Sequence, residues 1–134
     1  MTGKPESPSD LEINRDAMSL RELVAWVWRN TDATHRNPWN LLIHLICAPL
    51  FVLAHLLIVL AMLSGSLSAL FMGLVSIASS MVSQQFGHLL EEQQQPAYSG
   101  ARDVFVRIYC EQFYTFWRFL LSGKWVRHYR VTPK

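Results

Sequence analysis

The chain has 134 residues, 51% of them hydrophobic and 16% charged, which is short for two domains and too apolar for an ordinary soluble one. A net charge of +2 is too small to imply nucleic acid as a partner, and no DNA or RNA motif occurs. Cys47 and Cys110 lack Cys-x-x-Cys spacing and read as structural thiols, while the absence of a phosphate loop or a nucleophile motif removes support for kinase and hydrolase readings.

In chain order, residues 1–16 are expected to be a disordered tail. Met1 to Ser9 are rich in Pro and Ser and have no apolar stretch, so they make neither a secretory signal nor a transit peptide. From about Ala17 to Arg29, Leu20, Leu23, Val24 and Val27 recur at helical spacing, and Trp26 and Trp28 suit a helix lying at headgroup level. Asn37-Pro38 breaks the chain and starts the next helix near Trp39. The run from Leu41 to Leu63 contains no Asp, Glu, Lys or Arg. At ~1.5 Å rise per residue it reaches roughly 35 Å, enough for a ~30 Å hydrocarbon core. Ser64-Gly65-Ser66 is a turn signal, and an uncharged run from Ser66 to Leu90 returns. Two antiparallel spans, about 39–63 and 66–90, are predicted.

Orientation follows from the cations. Arg15, Arg21, Arg29 and Arg36 precede the spans, Arg102, Arg107, Arg118, Lys124, Arg127, Arg130 and Lys134 follow them, and the turn carries none. Both termini are therefore expected in the cytosol, with the hairpin in a bacterial inner membrane or the endoplasmic reticulum and the basic flanks against anionic lipid. After the loop Pro96-Ala97-Tyr98-Ser99-Gly100, Asp103 is expected to cap an aromatic helix from Val104 to Leu121 that stops at Gly123. Its polar residues Arg107, Glu111, Thr115 and Arg118 share a stripe, with Arg107 and Glu111 able to pair. A third span there would carry the C-terminal cations across the membrane, so an interfacial helix over the hairpin mouth is preferred. The predicted fold is thus all-α: a single domain, 17–134, built as an integral membrane hairpin of two spans flanked by amphipathic interfacial helices, with a third span as the alternative. So small a bundle buries little within itself, which makes a homodimer plausible.

Ionisable groups at membrane depth are costly and mark sites. An antiparallel hairpin gathers His35, Asn40 and His44 with His88 and Glu92 at its open end. Four-residue steps place Ser76, Ser80, Gln84, His88 and Glu92 on one stripe of the second span, facing Asn40, His44, Cys47, Phe51 and His55 on the first. Gly65, Ala69 and Gly73 form a small-residue edge for close approach near the turn, and Pro49 is expected to kink the first span. Three imidazoles with a carboxylate are a ligand set for zinc or non-haem iron, with Asn40 and Glu92 as ligands or orienting partners. Gln84 would shape the site. His55, deep and isolated, is expected to be a packing residue, His128 a solvated one, and Glu91 to face headgroup water. A zinc site, a b-type haem between His44 and His88, and a non-catalytic scaffold held together by the polar stripe all remain open on this reading.

The blocks His35-x4-Asn40-x3-His44-x4-Pro49 and Gly87-His88-x3-Glu92-x3-Pro96-Ala97 resemble the small membrane family of 2-hydroxy fatty acid dioxygenases, enzymes of fatty acid alpha-oxidation in phytosphingosine breakdown. The similarity runs from His35 to Ala97, with a looser aromatic helix after it, and Glu91 stands where relatives often have an aromatic residue. The resemblance implies an Fe(II) centre that uses O2 to convert a long-chain 2-hydroxy fatty acid to CO2 and the acid one carbon shorter. It implies His35, His44 and His88 as iron ligands, and Glu92 as a further ligand or orienting partner. Such a centre at the bilayer interface would leave the acyl tail among apolar side chains. Arg36 or Arg102 would then be candidates to neutralise the substrate carboxylate.

Overall fold

The computed structural model of the chain describes residues 14–131, and every regular element among them is helical. The expected tail falls mainly on residues 1–13, outside that range; at its end the chain is ordered, with Arg15–Ala17 forming one 3-10 turn and Arg15 buried. Helix α1 (Leu20–Thr34) begins where Ser19 and Glu22 make a reciprocal capping box, and it buries Leu23, Val27, Thr31 and Thr34.

Helix α2 (Pro38–Ser64) starts with Pro38 in the first turn and the Asn37 side chain accepting from the backbone N–H groups of Trp39 and Asn40. It runs through Pro49 and ends at Gly65, whose φ of 68° is the left-handed conformation a helix terminus of this kind needs. Helix α3 (Leu67–Leu89) returns alongside it, capped by Ser66. Both are long and apolar enough to cross a membrane, with mean hydropathy 2.7 and 1.5 over their most apolar stretches. Only 28% and 17% of those stretches are buried, and Ile46, Leu53, Met62, Leu63, Leu67, Phe71 and Met72 point outward. An aqueous surface rarely carries so continuous an apolar band.

The facing stripes meet as the four-residue steps predict. Ser80 Oγ donates to the Cys47 carbonyl (2.6 Å), and Gln84 bridges Ser80 to Gln112. A Cβ at Gly73 would lie 2.5 Å from Ile58 Cγ1, and one at Gly87 would overlap the Asn40 amide, so both glycines permit close packing of α2 on α3.

The aromatic helix begins at Ala101, three residues before the expected start. It comprises α4 (Ala101–Cys110), a π-helical turn (Glu111–Thr115) and α5 (Phe116–Leu121). Asp103 is not its cap: it lies buried in the first turn, where it accepts from Arg15 Nε (2.9 Å) and from the Ser99 backbone N–H (2.9 Å). Arg107 reaches back toward Asp103 (3.7 Å) rather than forward to Glu111. Gly123, with φ of 76°, turns the chain into a further helix, α6 (Lys124–Val131), beyond the point where the aromatic helix is expected to stop. Trp125 Nε1 donates to the Leu41 carbonyl, fastening α6 to the start of α2.

Candidate metal centre

Three elements meet at the open end of the hairpin: the end of α1, the first turns of α2, and the last turn of α3. His35 follows α1 directly, His44 lies two turns into α2, and His88 is the penultimate residue of α3; all three are at least 94% buried. Their ring centroids stand 4.7 to 4.9 Å apart. The fourth member is Glu111, on the π-helical turn. Its Oε1 lies 2.9 Å from His35 Nε2 and 3.3 Å from Nε2 of both His44 and His88. One ligand atom from each of the four falls within 4.8 Å of the others. Octahedral or tetrahedral coordination with ~2.1 Å arms gives ligand–ligand edges of roughly 3.0 to 3.4 Å, which the three distances from Glu111 to the histidines approach.

Proton bookkeeping strengthens that fit. His35 Nδ1 donates to the Thr31 carbonyl (3.0 Å) and His44 Nδ1 to the Asn40 carbonyl (3.0 Å), which fixes both tautomers and leaves a lone pair on each Nε2. Gln95 presents its amide nitrogen to His88 Nε2 (3.1 Å), and the amide is oriented by Arg107, which donates to its oxygen (3.4 Å). His88 Nε2 therefore also carries a lone pair. Burial alone would raise the Glu111 carboxyl, and only imidazoles presenting N–H or positive charge to it hold it well below the usual carboxylate range; with lone pairs on the Nε2 atoms, a bound cation has to supply that charge instead. The lone pairs of His35 and His44 and a carboxylate oxygen thus face one point, with the His88 lone pair beside them taken by the Gln95 amide until a metal displaces it, and neither His44 Nε2 nor Glu111 Oε1 has a hydrogen-bond partner. Either several buried imidazoles become cations or one metal ion takes all four atoms. Burying separate charges is the costlier solution.

Of the residues singled out in sequence, His35, His44 and His88 are brought together and Glu92 is not. Helix α3 ends at Leu89, so the four-residue stripe stops one turn short of Glu92, which is exposed beside a surface cavity. Glu91, expected in headgroup water, is buried: its carboxylate accepts from the backbone N–H groups of Arg36 and Asn37 (2.9 to 3.1 Å) and from the Asn40 amide (2.6 Å). That carboxylate closes the start of α2, where helix N–H groups favour an anion. Asn40 therefore supports the centre from behind and Gln84 ties α3 to Gln112, so neither touches the four ligand atoms.

Arg36 donates to the Asp32 carbonyl and Arg102 to the carbonyls of Asp16 and Met18; both are exposed. His128 is half-buried rather than solvated, and its Nδ1 donates to the His35 carbonyl (2.8 Å). His55 is satisfied at both nitrogens, by the Phe51 carbonyl and the Tyr109 hydroxyl. The Cys110 thiol, next to Glu111, is pushed up to about 11 by burial and by that carboxylate, and stays protonated.

The sequence reading passed over Glu111 as a ligand. The available signal was that Glu111 is the only acid after Asp103, set on the polar stripe of an otherwise aromatic helix.

An all-helical hairpin with three histidines and one carboxylate converging inside its mouth defines a helical protein with a candidate metal centre. The particular relationship is given by sequence: residues 23–122 match the family described as 2-hydroxy-palmitic acid dioxygenase Mpo1-like, and the chain belongs to that family. The family name implies a dioxygenase acting on a fatty acid. No curated protein and no solved structure matches the chain.

Proposed function

We propose that the chain is an Fe(II)-dependent membrane dioxygenase that shortens long-chain 2-hydroxy fatty acids by one carbon. The reaction consumes one 2-hydroxy acid and one O2 and yields the shorter acid, CO2 and water. The observation that carries this reading is the convergence of three Nε2 atoms and the Glu111 carboxylate on one buried point. His35, His44, His88 and Glu111 would hold the iron, in place of the set with Glu92 expected from sequence. When bound, iron supplies the redox chemistry that lets O2 attack the substrate, and a four-ligand set leaves coordination positions open.

The protein's own groups orient and exclude. The Thr31 and Asn40 carbonyls hold two imidazoles in the ligating tautomer, the Glu91 carboxylate fixes Asn40, and Phe116 and Phe119 close the centre against water. Helices α2 and α3 would span the membrane, with cation-rich flanks placing both termini in the cytosol. The mouth then lies at the bilayer interface, where a fatty acid's head reaches metal while its tail stays in lipid.

Zinc would fit the same donors, and the dioxygenase name is what favours iron. A haem does not fit, because three rings within 4.9 Å of one another leave no room for a porphyrin between axial ligands. The test is anaerobic purification in detergent, metal analysis, then O2 uptake with 2-hydroxypalmitate and identification of the product. Stoichiometric iron and a C15 acid are expected. Zinc with no O2 uptake would reject the reading.

A further inference from the structure

We infer that Arg107 takes the carboxylate of the 2-hydroxy acid, with Gln95 holding its place when substrate is absent; the inference rests on the proposed reading of the centre. A small cavity of about 10 Å³ borders the metal centre, lined among others by Trp26, Thr31, His35, Gln95, Arg107 and Glu111. It has room for about one water molecule. Arg107 is the cation in that lining, one helical turn before Glu111 and 5% exposed. Its guanidinium lies 4.3 Å from the Tyr98 ring and 5.3 Å from the Trp26 ring, which hold it in place by their faces.

Among the described residues its hydrogen bonds are one to the Pro96 carbonyl (2.9 Å) and a long one to Gln95 Oε1 (3.4 Å). A guanidinium has five N–H donors in a fork that matches a carboxylate. Asp103 does not use up the charge, because it lies closer to Arg15 (2.9 Å) than to Arg107 (3.7 Å). With Asp103 nearer to Arg15 and the Glu111 carboxylate of the same lining taken by the metal, the Arg107 charge is left for an incoming carboxylate.

Gln95 marks the pose. In the metal-free centre its amide oxygen accepts from Arg107 and its amide nitrogen donates to His88 Nε2, a hydrogen bond that iron on that nitrogen would replace, leaving the amide held by Arg107 alone. A 2-hydroxy carboxylate offers the same pair of functions: an oxygen for Arg107 and, two atoms away, a hydroxyl for the centre. Withdrawal of Gln95 makes the space that the small cavity lacks. Arg36 and Arg102, named from sequence as candidates for this role, are not in the lining and are engaged elsewhere.

The test compares equilibrium binding of 2-hydroxypalmitate and its methyl ester to the iron-loaded protein under anaerobic conditions in one detergent. Wild type should prefer the acid by about tenfold or more, as expected for a charge-assisted fork. Arg107→Gln should lose that preference while keeping iron content and ester affinity, and Arg107→Lys should restore part of it. A wild type that binds acid and ester equally overturns the inference, as does an Arg107→Gln protein that still prefers the acid. Should Arg107→Gln fail to fold, Arg107→Lys decides alone: an undiminished preference overturns the fork. O2 uptake by wild type separates the two readings. Uptake with an acid preference indifferent to Arg107 sinks this inference alone, whereas an Arg107-dependent preference without uptake sinks the dioxygenase reading alone.

Discussion

His44 and His55 lie on the same helix and begin alike, each donating Nδ1–H to the carbonyl four residues earlier. They differ at the other nitrogen. His55 Nε2 receives the Tyr109 hydroxyl at 3.0 Å, a donor meeting a lone pair, and its hydrogen bonding is complete. His44 Nε2 faces the Glu111 carboxylate at 3.3 Å, an acceptor meeting an acceptor. Residue type and tautomer do not tell a packing residue from a ligand here, although His44 is the more buried of the two. What tells them apart is whether the second nitrogen meets a proton donor or other lone pairs.

Removing the incomplete nitrogen should have the largest effect. His44→Ala should abolish O2 uptake and lower metal affinity by more than the ~10–100-fold that losing an orienting partner costs, read by metal analysis after dialysis. The carboxylate sharpens the contrast next: Glu111→Gln should lose metal, and Glu92→Gln should keep it.

A buried ion pair that supplies no ligand atom should affect folding instead. Asp103→Ala leaves Arg15 and Arg107 without their anion and should cost about 3–5 kcal/mol in denaturation with metal binding preserved in the folded fraction. Burial works to raise the Asp103 carboxyl, but the Ser99 N–H, Arg15 and Arg107 outweigh it and hold the group below its ordinary value. A depressed folded-state value stabilises above the unfolded ~3.9 and is lost as pH falls through the folded one. Wild type should therefore lose thermal stability as pH drops below about 4, with a shallower loss in Asp103→Asn.

Smaller still is Gly87→Ala, whose new methyl group meets the Asn40 amide and should cost about 1–3 kcal/mol. The complete nitrogen should respond least: Tyr109→Phe removes the donor to His55, costs about 1 kcal/mol and leaves metal content unchanged. A Tyr109→Phe protein that lost its metal would break the distinction drawn between the two histidines.

The hairpin was legible because its signals are local and strong: an uncharged run of span length, Pro38 at one end and Gly65 at the other. The three histidines followed, since antiparallel helices must bring their outer ends together. Glu92 does not join the three histidines because a four-residue stripe has meaning only while the helix lasts, and α3 stops at Leu89. Which of two adjacent glutamates turns back onto the start of α2 is decided by the exit of α3, and Glu91 took that place. Glu111 was hidden for a different reason. Its helix has no sequence neighbour in the hairpin, and a π-helical turn shifts which residues face inward, as with Gln112 and Thr115 here. Helix α6 is not legible in sequence because its own residues read only as basic, and what holds it are tertiary hydrogen bonds from Trp125 to the Leu41 carbonyl and from His128 to the His35 carbonyl.

The central claim is that His35, His44, His88 and Glu111 form one metal centre, and iron content per chain measured across a panel of purified variants tests it most directly. Wild type, Glu92→Gln and His55→Ala should each hold close to one iron per chain, whereas His35→Ala, His44→Ala, His88→Ala and Glu111→Gln should hold little or none. Full iron in the Glu111→Gln protein together with loss in Glu92→Gln would contradict the assignment, and a folded wild type that takes up no metal would contradict the centre itself.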